Sequence, residues 1–117
     1  MSVYITLKEN RDFSRLYRRG KSFVSPVLVT YVSKNKSDNL RYGITTGKKI
    51  GKAVRRTRAR RVIREAYYQL YPYLNEGYDI VFVARGKTPY VKTQVVLKAM
   101  KKHLTDAGIF SISNGEK

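Results

Sequence analysis

The spacing of apolar residues changes several times along the chain, and each change predicts an element. Phe13, Leu16 and Tyr17 stand at i, i+3 and i+4, the pattern of one helical face. Asn10 is suited to cap that helix, and Asp12 favours its first turn. A short helix over residues 11–19, stopped at Gly20, is expected. Residues 2–9 have no helical period and read as an extended arm. Residues 22–33, SFVSPVLVTYVS, are rich in β-branched and aromatic types and predict one long strand. Its alternation puts Phe23, Val27, Val29 and Tyr31 on one face and Val24, Leu28 and Val32 on the other. Pro26 cannot donate to a strand ladder, so it marks an edge or a bulge. The polar run KNKSDN (34–39) predicts a turn. Residues 40–46 predict a second strand, paired with the first as a long hairpin.

A helix is expected over AVRRTRARRVIREAYYQLYPYL (53–74), ended or bent by Pro72. At 100° per residue, Ala59, Val62, Ile63, Ala66, Tyr67, Leu70 and Leu74 fall in one sector, which should face a sheet. YDIVFVA (78–84) is a nearly continuous apolar run, the signature of a buried strand. Thr88 and Pro89 suit a cap and first turn. Val91, Val95, Ala99, Met100, His103 and Leu104 then trace a last helix, stopped at Gly108. Residues 109–117 are expected to form a flexible tail. The order α-β-β-α-β-α predicts a two-layer α+β domain. No repeat or linker interrupts the 117 residues, so one domain over 1–117 is expected.

Charge changes the picture. Twenty-five Lys and Arg stand against eight Asp and Glu, a formal net charge of +17. Such an excess repels itself in a compact state and points to a polyanionic partner. Nine basic residues and no acid lie in residues 48–64: Lys48, Lys49, Lys52, Arg55, Arg56, Arg58, Arg60, Arg61 and Arg64. Thr57, Arg60, Arg61 and Arg64 recur at i, i+3, i+4 and i+7, opposite the apolar sector, with Arg58 on the flank. Arginine dominates, and its planar fork can grip two phosphate oxygens or stack on a base. This predicts a solvent-facing, phosphate-binding stripe. Smaller clusters are Arg11 to Lys21 and Lys98 to Lys102. Phe13 and Tyr17 lie among the arginines of the first helix, with Tyr31 on the long strand. Aromatic rings among cations suit single-stranded nucleic acid, although the same spacing also describes a core stripe. A half-buried cleft wall would satisfy both readings.

Other classes are disfavoured. There is no cysteine, hence no disulfide and no thiolate metal site. No apolar run approaches the ~20 residues of a membrane helix, and no signal-peptide core is present. A cytoplasmic protein is expected, with no membrane and no DNA partner, and the Asn35-Lys36-Ser37 sequon reads as chance. Only three residues, rather than four, lie between Gly43 and Gly47, and Lys49 stands where a phosphate-binding loop of the nucleotide-hydrolysing type needs Ser or Thr. The acids are scattered, whereas two-metal nucleases cluster carboxylates. His103 is the only histidine, and its alignment with Ala99 and Met100 suggests a structural role.

The segment GKKIGKAVRRTRARRVIRE resembles the signature of the bacterial ribonuclease P protein component. That family shows S-K-K-hydrophobic-G-x-A-V-x-R-N-x-x-K-R-x-x-R. Lys48, Lys49, Ile50, Gly51, Ala53, Val54, Arg56, Arg61 and Arg64 match it, and Arg60 replaces a lysine. N-R-D-F-x-x-L-Y-x-x-G-K-S (10–22) and D-I-V-F-V-A-R (79–85) are similar to further family segments. Thr57 and Lys52 stand where the family commonly has Asn, so beyond their place in the basic stretch no specific role is carried onto them.

The resemblance implies an α+β sandwich like ribosomal protein S5 domain 2, with a left-handed β-α-β crossover through the arginine helix. It implies a subunit that binds ribonuclease P RNA and precursor tRNA and assists hydrolytic removal of the 5′ leader. The catalytic groups and the Mg²⁺ would belong to the RNA, and the chain alone would not cleave RNA. The RNA-facing residues would be Lys48, Lys49, Lys52, Arg56, Thr57, Arg58, Arg60, Arg61 and Arg64. The leader cleft would be formed by Arg11, Phe13, Tyr17 and Tyr31. The alternative from a different class is a ribosomal or rRNA-binding structural protein, since fold does not fix function.

Overall fold

The computed structural model describes residues 4–110. In chain order the elements are β1 (Ile5–Thr6), α1 (Asn10–Arg19), β2 (Lys21–Ser25), β3 (Leu28–Lys34), β4 (Arg41–Thr45), α2 (Ala53–Leu70), β5 (Tyr78–Ala84) and α3 (Thr93–Asp106). Short 3-10 turns lie at Lys48–Ile50, Tyr71–Tyr73 and Thr88–Tyr90. One five-stranded sheet runs in the order β1-β4-β5-β3-β2.

The expected α+β architecture is present, but two connections differ from the local reading. The long strand is a tight hairpin, with Ser25 opposite Leu28 and a two-residue turn at Pro26 and Val27. Pro26 has its φ pre-set for the turn, and the Ser25 hydroxyl accepts from the Leu28 amide at 3.1 Å. The turn reverses the chain, so Phe23 pairs with Thr30 and packs with Leu28 and Val32, not with Val29 and Tyr31. The predicted hairpin between β3 and β4 does not form. β5 inserts between them, antiparallel to β3 and parallel to β4. Its near-continuous apolar character fits this central place, covered on both faces. The β4–α2–β5 segment is therefore a crossover between adjacent parallel strands.

The termini are more ordered than expected. Residues 5–6 of the arm add a parallel edge strand beside β4. Tyr4 stacks on Tyr68 with ring centroids 3.9 Å apart, and Leu7 is buried on the opposite side of the sheet, against Leu16. At the other end Ile109 is fully buried, and Phe110 bridges to Leu74. The tail expected over 109–117 is thus docked through Phe110; residues 111–117 lie outside the described residues, as do 1–3 of the arm.

Helix boundaries also shift. Glu9, not Asn10, occupies the position before α1, with no side-chain cap. Thr88 and Pro89 open a separate 3-10 turn rather than α3, which begins at Thr93. Gly20 and Gly108 end their helices where expected.

The main core lies between the sheet and the pair α2 and α3. All seven residues predicted for the inner sector of the arginine helix and its extension are buried there, from Ala59 to Leu74. Ile80 and Phe82 of β5 meet them, while Val81 points the other way. The buried His103 shares a 2.8 Å hydrogen bond with the buried Thr30 hydroxyl across this core, the structural role expected of it. On the second face α1 stands alone over β3 and β5, with Leu16, Leu7 and Val81 as a small core.

Candidate RNA-binding surfaces

On the α1 face, Phe13 and Tyr31 are half-buried and pack against Leu7, Leu16 and Val81. Tyr17 is 43% exposed and meets Tyr31 edge-on, with centroids 5.0 Å apart. Its hydroxyl lies 3.5 Å from that of Thr45. The Phe13 ring lies on Gly43 so closely that a Cβ there would come within 2.6 Å of it. Three of the four residues predicted for a cleft thus form one half-open aromatic wall, partly core and partly exposed. Arg11 does not join them. It is exposed, pairs with Glu9 at 2.9 Å, and lies about 160° around the helix from Phe13 at 100° per residue.

The position of α1 is fixed by a group the sequence reading missed. Asp79, at the start of β5, is fully buried. Arg41 of β4 grips it with two guanidinium nitrogens, at 2.8 and 2.7 Å. Arg15 of α1 donates to the same carboxylate and to Asp12. The Asn35 amide adds a bond of 2.8 Å. Hydrogen bonding and charge attraction from Asp79 raise the Arg41 pKa against the opposing effect of burial. A buried carboxylate needs such partners, and these join α1, β4, β5 and the turn after β3. The only sequence signal was an acid at the head of an apolar strand.

On the other side, the predicted stripe divides in two. Lys48, Lys49, Lys52, Thr57, Arg58 and Arg61 are exposed. Arg58 donates to the Pro89 carbonyl, whereas Arg61 makes no hydrogen bond or ion pair among the described residues. Arg56, Arg60 and Arg64 are half-buried. Arg60 donates to the Ile44 carbonyl at 3.0 Å and to the Thr46 hydroxyl at 2.9 Å. It covers the edge of β4 just beyond the short pairing with β1. Arg56 reaches the Gly51 carbonyl at 3.4 Å. Arg64 lies beside the Tyr42 hydroxyl, whose pKa is pushed up to about 12, chiefly by burial and by the bond to Tyr68. The expectation of three equivalent solvent-facing guanidinium groups is therefore corrected: Arg61 is free, while Arg60 and Arg64 are partly committed to the fold. Arg55, absent from the predicted set, is exposed at the start of α2. Glu65, the one acid in this helix, accepts from Thr93 at the start of α3.

The two surfaces are neighbours. The end of β4 places Thr45 against Tyr17, while Arg60 binds Ile44 and Thr46, and the lysine loop follows directly. No three His, Asp or Glu side chains converge among the described residues, and Asp79 is saturated by Arg15, Arg41 and Asn35.

A half-open aromatic wall beside a dense cationic helix, on a small α+β sheet, is an arrangement suited to binding nucleic acid. The comparisons narrow that class. The family model for ribonuclease P matches residues 1–108, and the chain belongs to this family. It is 51% identical over 96 residues to the ribonuclease P protein component of Clostridioides difficile strain 630, covering 81% of this chain and 84% of that one. Among solved structures, the RNase P protein of Staphylococcus aureus superposes with a TM-score of 0.80 at 32% identity, over 94% of this chain and 100% of that chain. The RNase P protein of Thermotoga maritima gives 0.76 at 30% identity, over 86% and 96%.

Proposed function

We propose that the chain is the protein subunit of ribonuclease P and that its two surfaces hold two RNAs. The α2 surface, from Lys48 through Arg64, contacts the catalytic RNA. The wall of Phe13, Tyr17 and Tyr31 takes the single-stranded 5′ leader of precursor tRNA. The tRNA-processing role follows from the family. The division of labour rests on one observation: an aromatic wall and a cationic helix occupy opposite faces of one sheet and meet at the end of β4.

The chemistry of each surface suits its assignment. A folded RNA partner presents phosphates in fixed geometry, which matches guanidinium groups fixed by α2 and by Arg58 and Arg60 contacts. A leader is unpaired, and its bases can stack on Tyr17 regardless of sequence. Mg²⁺ in this reading is bound mainly by the RNA and supplies Lewis-acid chemistry there. The protein residues bind and orient; none acts as a general acid or base, and the chain alone does not cleave RNA. The cytoplasm, where tRNA precursors arise in bacteria, is the corresponding location. Nothing in the fold or the family match favours the alternative of a ribosomal structural protein.

Reconstitution tests the proposal. The chain is mixed with a bacterial ribonuclease P RNA and precursor tRNA at low Mg²⁺, and leader release is followed. Faster cleavage than with RNA alone is expected, and no cleavage without the RNA. Equal rates with and without the chain would refute the subunit role; cleavage by the chain alone would refute the assignment of the chemistry.

A further inference from the structure

The turn between β5 and α3 presents a ring to solvent beside the arginine helix. Tyr90 ends the 3-10 turn Thr88–Tyr90 and is 62% exposed. Its backbone is well fixed. The buried Thr88 hydroxyl donates to the Val27 carbonyl at 2.7 Å and accepts from the Arg85 amide at 2.8 Å. The Pro89 carbonyl accepts from Arg58 of α2, and the Tyr90 amide donates to the Lys87 carbonyl at 3.0 Å.

Arg55 completes the arrangement. Its guanidinium carbon lies over the Tyr90 ring, 5.4 Å from the centroid. Arg55 runs close past Gly51, where φ is +127° and a Cβ would lie 3.3 Å from its Cδ. A single exposed ring is ordinary on a protein surface. Here the ring is held on an anchored turn, carries a cation against its π system, and adjoins the most cationic part of the chain. A ligand that satisfies this site needs a flat apolar face for the ring and negative charge for Arg55. A second copy of a +17 chain offers the wrong charge, whereas a nucleotide unit offers both features.

We propose that Tyr90 and Arg55 form a stacking site for an unpaired nucleobase and its phosphate, separate from the wall on α1. The site lies on the α2 side of the sheet and extends the cationic surface past α2 to the β5–α3 connection. It rests on the reading that α2 faces RNA. The base could come from the catalytic RNA or from precursor tRNA, and the two sources are separable.

The chain contains no tryptophan, so Tyr90→Trp installs a single indole reporter. It is titrated with ribonuclease P RNA alone and with precursor tRNA alone. Quenching, with protection from acrylamide, is expected; the RNA that causes it supplies the base. Tyr90→Leu should weaken binding of that RNA by about tenfold, and Tyr90→Phe should leave it nearly unchanged. Because the phosphate contacts remain, the slope of affinity against salt should not change in Tyr90→Leu. An indole untouched by saturating amounts of both RNAs, or wild-type affinity in a folded Tyr90→Leu, would overturn the proposal. Failure of the underlying reading has a different signature: the unmodified chain itself would bind neither RNA.

Discussion

The cores on the two faces of the sheet are built from aromatic and charged residues in different ways. On the α2 and α3 face, Tyr67, Phe82 and Met100 are fully buried, and the charges stand outside, on the far side of α2. On the α1 face one helix covers the strands, with Leu16 as its only buried residue. There the aromatics reach the surface and a charge goes inside: Tyr17 is exposed while Asp79 is sealed between two arginines. Among the described residues, the thick layer is held without a buried ion pair, with the hydrogen bond between Thr30 and His103 as a polar contact in its core. A thin one leaves rings available for contact, and the helix that carries them must be anchored by other means.

Removing the anchor should break this contrast most strongly. Asp79→Ala leaves Arg15 and Arg41 facing an empty site, and a loss of about 3 kcal/mol is expected in urea unfolding. Preference for precursor over mature tRNA should fall with it, because α1 loses its position, while the salt dependence of binding to the catalytic RNA stays. An unfolding midpoint unchanged in Asp79→Ala would mean that apolar contacts alone hold α1.

A smaller effect separates the two binding modes. Tyr17→Ala should cost about 1 kcal/mol of leader affinity through lost stacking, with little change in stability. Arg61→Ala should instead lower the slope of log affinity against log salt by about one unit, the signature of one lost phosphate contact. Arg60→Ala is the control, because this guanidinium holds the end of β4 and its loss should appear in stability as well. If both arginine variants changed only the slope, the division of the stripe would be wrong.

The smallest effect concerns the thick face. Burial lowers the pKa of His103 from its ordinary 6.5, so the unfolded chain takes up the proton more readily than the folded one. Stability is complete above about pH 6.5 and declines as the pH falls below it. His103→Gln should remove part of that decline when thermal unfolding is compared at pH 7.5 and 5.5. A parallel decline in both proteins would assign the acid sensitivity elsewhere.

What was legible in the sequence follows from the range of each interaction. The inner sector of α2 could be read residue by residue because a helix repeats its packing pattern every few positions. Phe13 and Tyr17 of the aromatic wall were legible for the same reason, whereas Tyr31, on a strand, was placed beside them by the family resemblance. Sheet order was not: nothing within residues 34–46 says that a strand thirty residues downstream will separate β4 from β3. Pro26 was read as an edge or a bulge because a two-residue turn and an irregular strand share the same residue types. The partition of Arg60 from Arg61 was hidden as well. They are adjacent in sequence and share an outward sector, but only one can reach the uncovered edge of β4. Asp79 looked like one more scattered acid until the fold brought residues 15, 35 and 41 around it.

The central position of β5 has a consequence for how the chain assembles. Its two neighbours are both made earlier, and neither pairs with the other. A nascent chain that stops before residue 78 can close the β2–β3 hairpin and form helical turns, but it has no sheet to join them. Val81, the floor beneath α1, and Asp79, its anchor, arrive on the same strand. Sheet, main core and aromatic wall therefore become possible together, late in synthesis, through contacts distant in sequence, the kind that make folding slow. Until then the cationic stretch of residues 48–64 is already exposed, attached to a chain with no finished surface on which to select its RNA.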